Sequence, residues 1–133
     1  MKNMLVVTSG IVAMILSTAT IAGPREDLLA QYAAAAKTAS FSAARGQTLH
    51  TQNFSGGKPD TPSCTTCHGK DTRGAGRALT GKTIEPVAVS VTPTRYTDPA
   101  KVEKWFKRNC TEVLGRECTP QEKGDWLTFV IGQ

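Results

Sequence analysis

Cys64-Thr65-Thr66-Cys67-His68 is the stretch from which the rest of this chain is read. Two thiols spaced by two residues can form thioethers to the two vinyl groups of one haem, and the adjacent His is then held beneath the iron as its proximal ligand. Two other chemistries use similar spacing. A thioredoxin-like redox pair needs a strand leading into a helix, whereas here the Gly/Pro/Ser-rich segments 53–63 and 69–93 read as loops on both sides. A zinc site could draw on Cys64, Cys67, Cys110 and Cys118, but the second pair lies eight residues apart and fits that use poorly. Covalent attachment of one haem c is the preferred reading.

The N-terminus supports it. Lys2 gives a short positive region, Met4 to Leu16 an apolar one, and Thr20 and Ala22 the small residues of a cleavage site. Residues 1–22 are therefore an expected signal peptide and 23–133 one cytochrome domain exported to the bacterial periplasm, where c-type haem is attached. An uncleaved anchor is the alternative. No run of 18 apolar residues occurs, which argues against stable membrane insertion after cleavage. The chain of 133 residues carries a formal charge of +5, with its basic residues scattered rather than run together, so no nucleic-acid arm is indicated. A basic surface can still steer an acidic partner.

Helices dominate the remainder. The Ala-rich stretch Arg25 to Ala44 has apolar residues near helical spacing. A second turn or helix covers about Ser40 to Thr51, with Phe41, Ala44, Thr48 and Leu49 on one side and His50 pointing away. Val87 to Val91 is the only strand-like run, and Pro86 and Pro93 flank it. Asp98-Pro99 and Thr119-Pro120 each pair a capping residue with Pro in the first turn, and Glu122 adds a capping box to the second. The expected fold is all-α and class I cytochrome c-like, built around one covalently attached haem c. Gly46 with Leu49, and Trp126 with Phe129, correspond to its two crossing terminal helices. The aromatic content, two Trp, two Tyr and four Phe, is modest for a self-sufficient small core, which a buried macrocycle would complete.

The sixth position of the iron is decided partly by counting. Ordinary electron carriers use Met there, but all three methionines, Met1, Met4 and Met14, fall in the leader. His50 is the remaining histidine and reads as a partly exposed residue. In the helix beginning at Pro99, Val102, Trp105, Phe106 and Asn109 share one face, and Lys101, Lys104, Lys107 and Arg108 the other. Asn109, polar within an apolar stripe, either caps the helix end near Cys110, bonds to the backbone, or points at the iron. Trp105 and Phe106 are candidate walls of the pocket. Cys110 and Cys118 are expected to form a disulfide in an oxidising compartment. Pro86 is placed to offer its carbonyl to the second nitrogen of His68.

Taken together, Cys64–His68, Thr80-Gly81-Lys82-Thr83-Ile84-Glu85-Pro86, Arg95-Tyr96-Thr97-Asp98, and Trp105 to Cys110 through Cys118-Thr119-Pro120 resemble the sphaeroides haem protein (SHP) type of cytochrome c. The related cytochrome c″ shares the disulfide plan but has His where this chain has Asn109. The resemblance implies His68 as proximal and Asn109 as distal ligand, with Cys110 and Cys118 bridged. It implies that Asn109 leaves on reduction, that the ferrous iron binds O2 or NO, and that a dihaem cytochrome c or another redox partner supplies electrons. Two competing readings remain: a bis-histidine carrier using His50 and His68, and an O2- or NO-turning enzyme, for which no separate acid/base constellation is evident.

Overall fold

Gly46 sets how closely the two ends of the domain meet. It lies in α2 (Ala43–Thr51) where that helix crosses α5 (Pro120–Ile131). A methyl group on Gly46 would overlap the Asp125 carbonyl and stand 2.8 Å from the Phe129 Cβ. Only the missing side chain lets the backbones approach this far. The computed structural model describes residues 22–133; the leader read at 1–22 lies, but for its last residue, outside them.

Within those residues, α1 (Pro24–Ala36) also packs on α5, burying Leu28 and Tyr32 against Leu127 and Val130. Next come α2, the four-residue α3 (Thr65–His68) and a two-stranded ribbon. In the ribbon, β1 (Gly76–Arg77) pairs antiparallel with β2 (Thr83–Ile84), with Gly76 opposite Ile84. α4 (Pro99–Leu114) and α5 close the chain. The fold is helical, as expected, and the ribbon was not foreseen.

Three local expectations need correction. The helix expected over Arg25–Ala44 stops at Ala36, where Lys37 turns left-handed at φ 53°. α2 restarts at Ser42, whose Oγ accepts the Arg45 N–H at 3.2 Å. The Asp125 carboxylate of α5 accepts the Ser42 N–H at 2.7 Å, so a partner distant in sequence overrides the helical propensity of the alanines. The helix from Pro99 continues past Cys110 to Leu114, because Cys110, Val113 and Leu114 extend its buried stripe, and Gly115 ends it at φ 76°. Val87–Val91 is not a strand. Val87 and Ala88 are buried in irregular backbone, and the Val89 N–H donates to the Val130 carbonyl at 3.1 Å.

Both closing helices start as read. Asp98 accepts the Lys101 N–H, and Thr119 and Glu122 form the reciprocal capping box. The crossing is locked by Asp125, almost fully buried. It takes Arg45 bidentately at 2.7 and 2.8 Å and also accepts from Gln121.

Gly46→Ala gains about 1 kcal/mol of helix propensity but must push the helices apart, which typically costs about 1–3 kcal/mol. Loss should win, and a denaturation midpoint at or above the parent's would show that the helices do not meet this closely. Burial acts to raise the Asp125 pKa, but Arg45, the Ser42 N–H and Gln121 outweigh it and hold the carboxyl below its usual value. Its contribution is therefore complete above about pH 3.9, the unfolded value, and is lost as pH falls through the lower folded value. Asp125→Asn should lower the thermal midpoint at pH 7, and the gap to the parent protein should shrink as the pH is taken down to 2.

Candidate functional site

Cys64 caps α3, so one turn of backbone carries both thiols and His68. Ser63 and Thr65 hydroxyls join at 2.5 Å at its start, and Gly69, at φ 73°, lets the chain leave sharply after His68. Gly76 of β1 backs the turn: a methyl there would overlap the Cys67 carbonyl and stand 3.0 Å from the His68 Cα. The ribbon thus braces the motif. Cys64 and Cys67 are free and half-buried. Burial pushes the Cys64 thiol up to about 11, which opposes the low-pKa thiolate of a redox dithiol. Cys110 and Cys118 are bridged, with Cα atoms 5.5 Å apart, which removes two of the thiols a zinc site would need.

The motif opens onto a cavity of about 1010 Å³, at the upper limit of the roughly 300–1,000 Å³ usual for cofactor pockets. Cys64, Cys67 and His68 line one part of it, and Val102, Trp105, Phe106 and Asn109 of α4 another. The stripe read from helical periodicity therefore faces this space. Trp105 and Leu79 border it while 43% and 60% exposed, far more than large apolar side chains in a finished core.

His68 is also incomplete. Neither ring nitrogen makes a hydrogen bond, and Nδ1 is the one fully buried side-chain polar atom without a partner among the described residues. Burial, helped by nearby His50 and Arg95, lowers its pKa to about 4, so the imidazole is neutral, as a metal ligand requires. Two thiols, a neutral imidazole and a large, largely apolar cavity fit a haem. Cys64 and Cys67 could hold it covalently, and His68 could bind its iron.

Asn109 lies five residues before the end of α4, so it does not cap the helix. It is half-buried and its side chain makes no hydrogen bond among the described residues. The carbonyl of Pro86 does not serve His68: it accepts instead from Thr92 Oγ1 at 2.9 Å and Arg95 Nε at 2.7 Å.

His50 is the largest departure from the sequence reading. It is fully buried, not partly exposed. Its Nε2 lies 2.9 Å from the Gly69 carbonyl, and its Nδ1 accepts the Trp126 Nε1–H at 3.2 Å. Burial lowers its pKa against the pull of that carbonyl. Both nitrogens are engaged, which removes the geometric basis of a bis-histidine site. The Gly46–His50 spacing of four residues was the signal: the crossing face of α2 runs through the glycine rather than along Ala44 and Thr48.

Residues 36–130 match a family model described as a domain of unknown function, DUF1924. The cytochrome c-type protein SHP of Cereibacter sphaeroides is 51% identical over 123 residues, 87% of this chain and 95% of that protein. Cytochrome c″ of Methylophilus methylotrophus is 36% identical over 70 residues, 52% of this chain and 49% of that protein. Among solved structures, oxidised SHP, described as an oxygen-binding cytochrome c, matches with a TM-score of 0.80 at 53% identity. That match covers 82% of this chain and 96% of the other. Oxidised cytochrome c″ from M. methylotrophus matches at 0.69 and 28% identity, covering 83% and 94%.

The Cys110–Cys118 bridge closes a short loop between α4 and α5. Replacing both by Ala should cost about 2–3 kcal/mol in the chain-entropy view, measured by denaturant unfolding of the haem-loaded protein. No loss of stability would mean that the loop stays closed without the bond.

Proposed function

The chain belongs to the SHP type of cytochromes c, with an all-α cytochrome c fold and one covalent haem c, and on that premise we propose that it is a periplasmic electron acceptor and binder of diatomic gases. In this reading residues 1–22 are removed on export and 23–133 form the mature domain. Cys64 and Cys67 carry the haem, His68 is the proximal ligand, Asn109 the distal one, and Trp105 and Phe106 wall the pocket.

When bound, the haem would supply a redox-active iron able to take small diatomic ligands. The rest is the work of the chain. His68 offers a neutral imidazole. Asn109 offers an amide oxygen, a hard and uncharged donor that suits ferric iron and holds the softer ferrous state weakly. Asn109 would therefore give way on reduction and leave room for O2 or NO. The reduced state comes from a dihaem cytochrome c or another redox protein. One observation carries this reading: Asn109 is unpaired on a helix interior and lines the same cavity as His68. Two familiar alternatives are set aside, since residues 23–133 contain no methionine and both nitrogens of His50 are engaged. That the relative SHP is described as oxygen-binding supports the gas chemistry. Electron transfer and ligand binding are preferred to turnover as an enzyme.

Absorption and magnetic spectra of both oxidation states, with and without NO, test it. Reduced protein should bind NO, whereas a reduced spectrum indifferent to NO would overturn gas binding. An internal ligand lowers the apparent affinity for an added one by the fraction of open sites. Asn109→Ala should therefore alter the oxidised spectrum and raise the affinity of oxidised protein for added imidazole by about tenfold or more. An unchanged oxidised spectrum would exclude Asn109 as ligand.

A further inference from the structure

We propose that His50 is a positioning residue for His68, a strut that holds the proximal imidazole from behind through the backbone. The proposal rests on His68 being the iron ligand.

The hydrogen-bond roles are forced by chemistry. The Trp126 indole can only donate, so Nδ1 of His50 must accept, at 3.2 Å. Nε2 then carries the proton of the neutral ring, and the Gly69 carbonyl, which can only accept, receives it at 2.9 Å. Each nitrogen has one partner, and the side chain is fully buried. Gly69 directly follows His68 and is the residue on which α3 ends. The strut therefore ties α2 and α5 to the peptide that leaves the proximal residue.

Haem and metal sites commonly orient a ligating imidazole through a hydrogen bond to its second nitrogen. Among the described residues that bond is not made: His68 Nδ1 has no partner, and the Pro86 carbonyl is taken by Thr92 and Arg95. The orientation must come from the backbone on which His68 sits. The His50 and His68 rings lie 6.4 Å apart between centroids, tilted by 33°, so the strut acts through Gly69 and not through ring contact.

The test uses the haem-loaded, reduced protein and reads the iron–histidine stretching band by resonance Raman, together with the reduction potential. His50→Leu removes both bonds and should shift the band and the potential. His50→Gln keeps an N–H at the position of Nε2, so it should restore both to near the parent values. His50→Asn keeps a polar atom near Trp126 but is too short to reach Gly69. It should behave like Leu, and it decides the matter if the Leu variant does not fold. Leu and Asn variants with lowered stability but parental band and potential would reduce His50 to a core histidine and overturn the proposal. His68→Ala separates the premise: a band that survives there defeats the proximal reading, whereas a band lost there and untouched in the His50 variants defeats only the strut.

Discussion

The close crossing of α2 over α5 is the constraint on which the rest of the molecule depends. With no side chain at Gly46, the Asp125 carboxylate can reach the start of α2 and hold both Ser42 and Arg45. The same approach brings His50 to Trp126, and His50 reaches on to Gly69. One missing side chain thus sets the depth of a buried histidine whose ring centroid lies 6.4 Å from that of His68, and through it the peptide that follows His68. A buried carboxylate with four hydrogen bonds is costly to form and costly to disturb, which favours one crossing geometry over its neighbours.

The core is organised around a space rather than around a centre. Leu28, Leu127, Phe129 and Val130 form one cluster, and Cys110, Val113, Leu114 and Cys118 another. Among the described residues, Phe106 is the one partly buried side chain packed against both. It meets Tyr32 and Trp126 edge-on, at 6.2 and 5.6 Å between ring centroids. The exposed faces of Trp105 and Leu79 border the intervening cavity. A haem c held there would supply the apolar surface that a chain with so few aromatics lacks.

What the sequence made legible was local or covalent. The Cys64–His68 spacing, the caps at Asp98 and Thr119, and the α4 stripe through Val102, Phe106 and Asn109 each depend on residues within a turn or two. Counting methionines beyond the expected leader narrowed the candidate distal ligands without any geometry. What stayed hidden depended on distant partners. The break between α1 and α2 is imposed by Asp125, more than 80 residues away. His50 was read as turned outward because α2 was judged by its apolar residues, whereas its buried face is marked by a glycine. The Pro86 carbonyl could be placed near the site, but nothing in the sequence told that Arg95 would claim it.

The segment leading into the motif is tied to the far end of α4. The backbones of Gly56 and Gly57 press on the last carbonyls of that helix, and Gly115 presses back on Gly56. Lys58 bonds the Glu112 carbonyl through its N–H at 2.7 Å and the Glu112 carboxylate through its ammonium at 2.8 Å. The disulfide pins the same helix at Cys110. The C-terminal half of α4 is thereby clamped like a beam fixed at its end, with Asn109 just inboard of the clamp. The softest coordinate left to that residue is rotation about its own side-chain torsions. In the proposed reading, exchange of a ligand at this position demands no hinge and no melting of the helix, only the swing of one amide on a rigid mount.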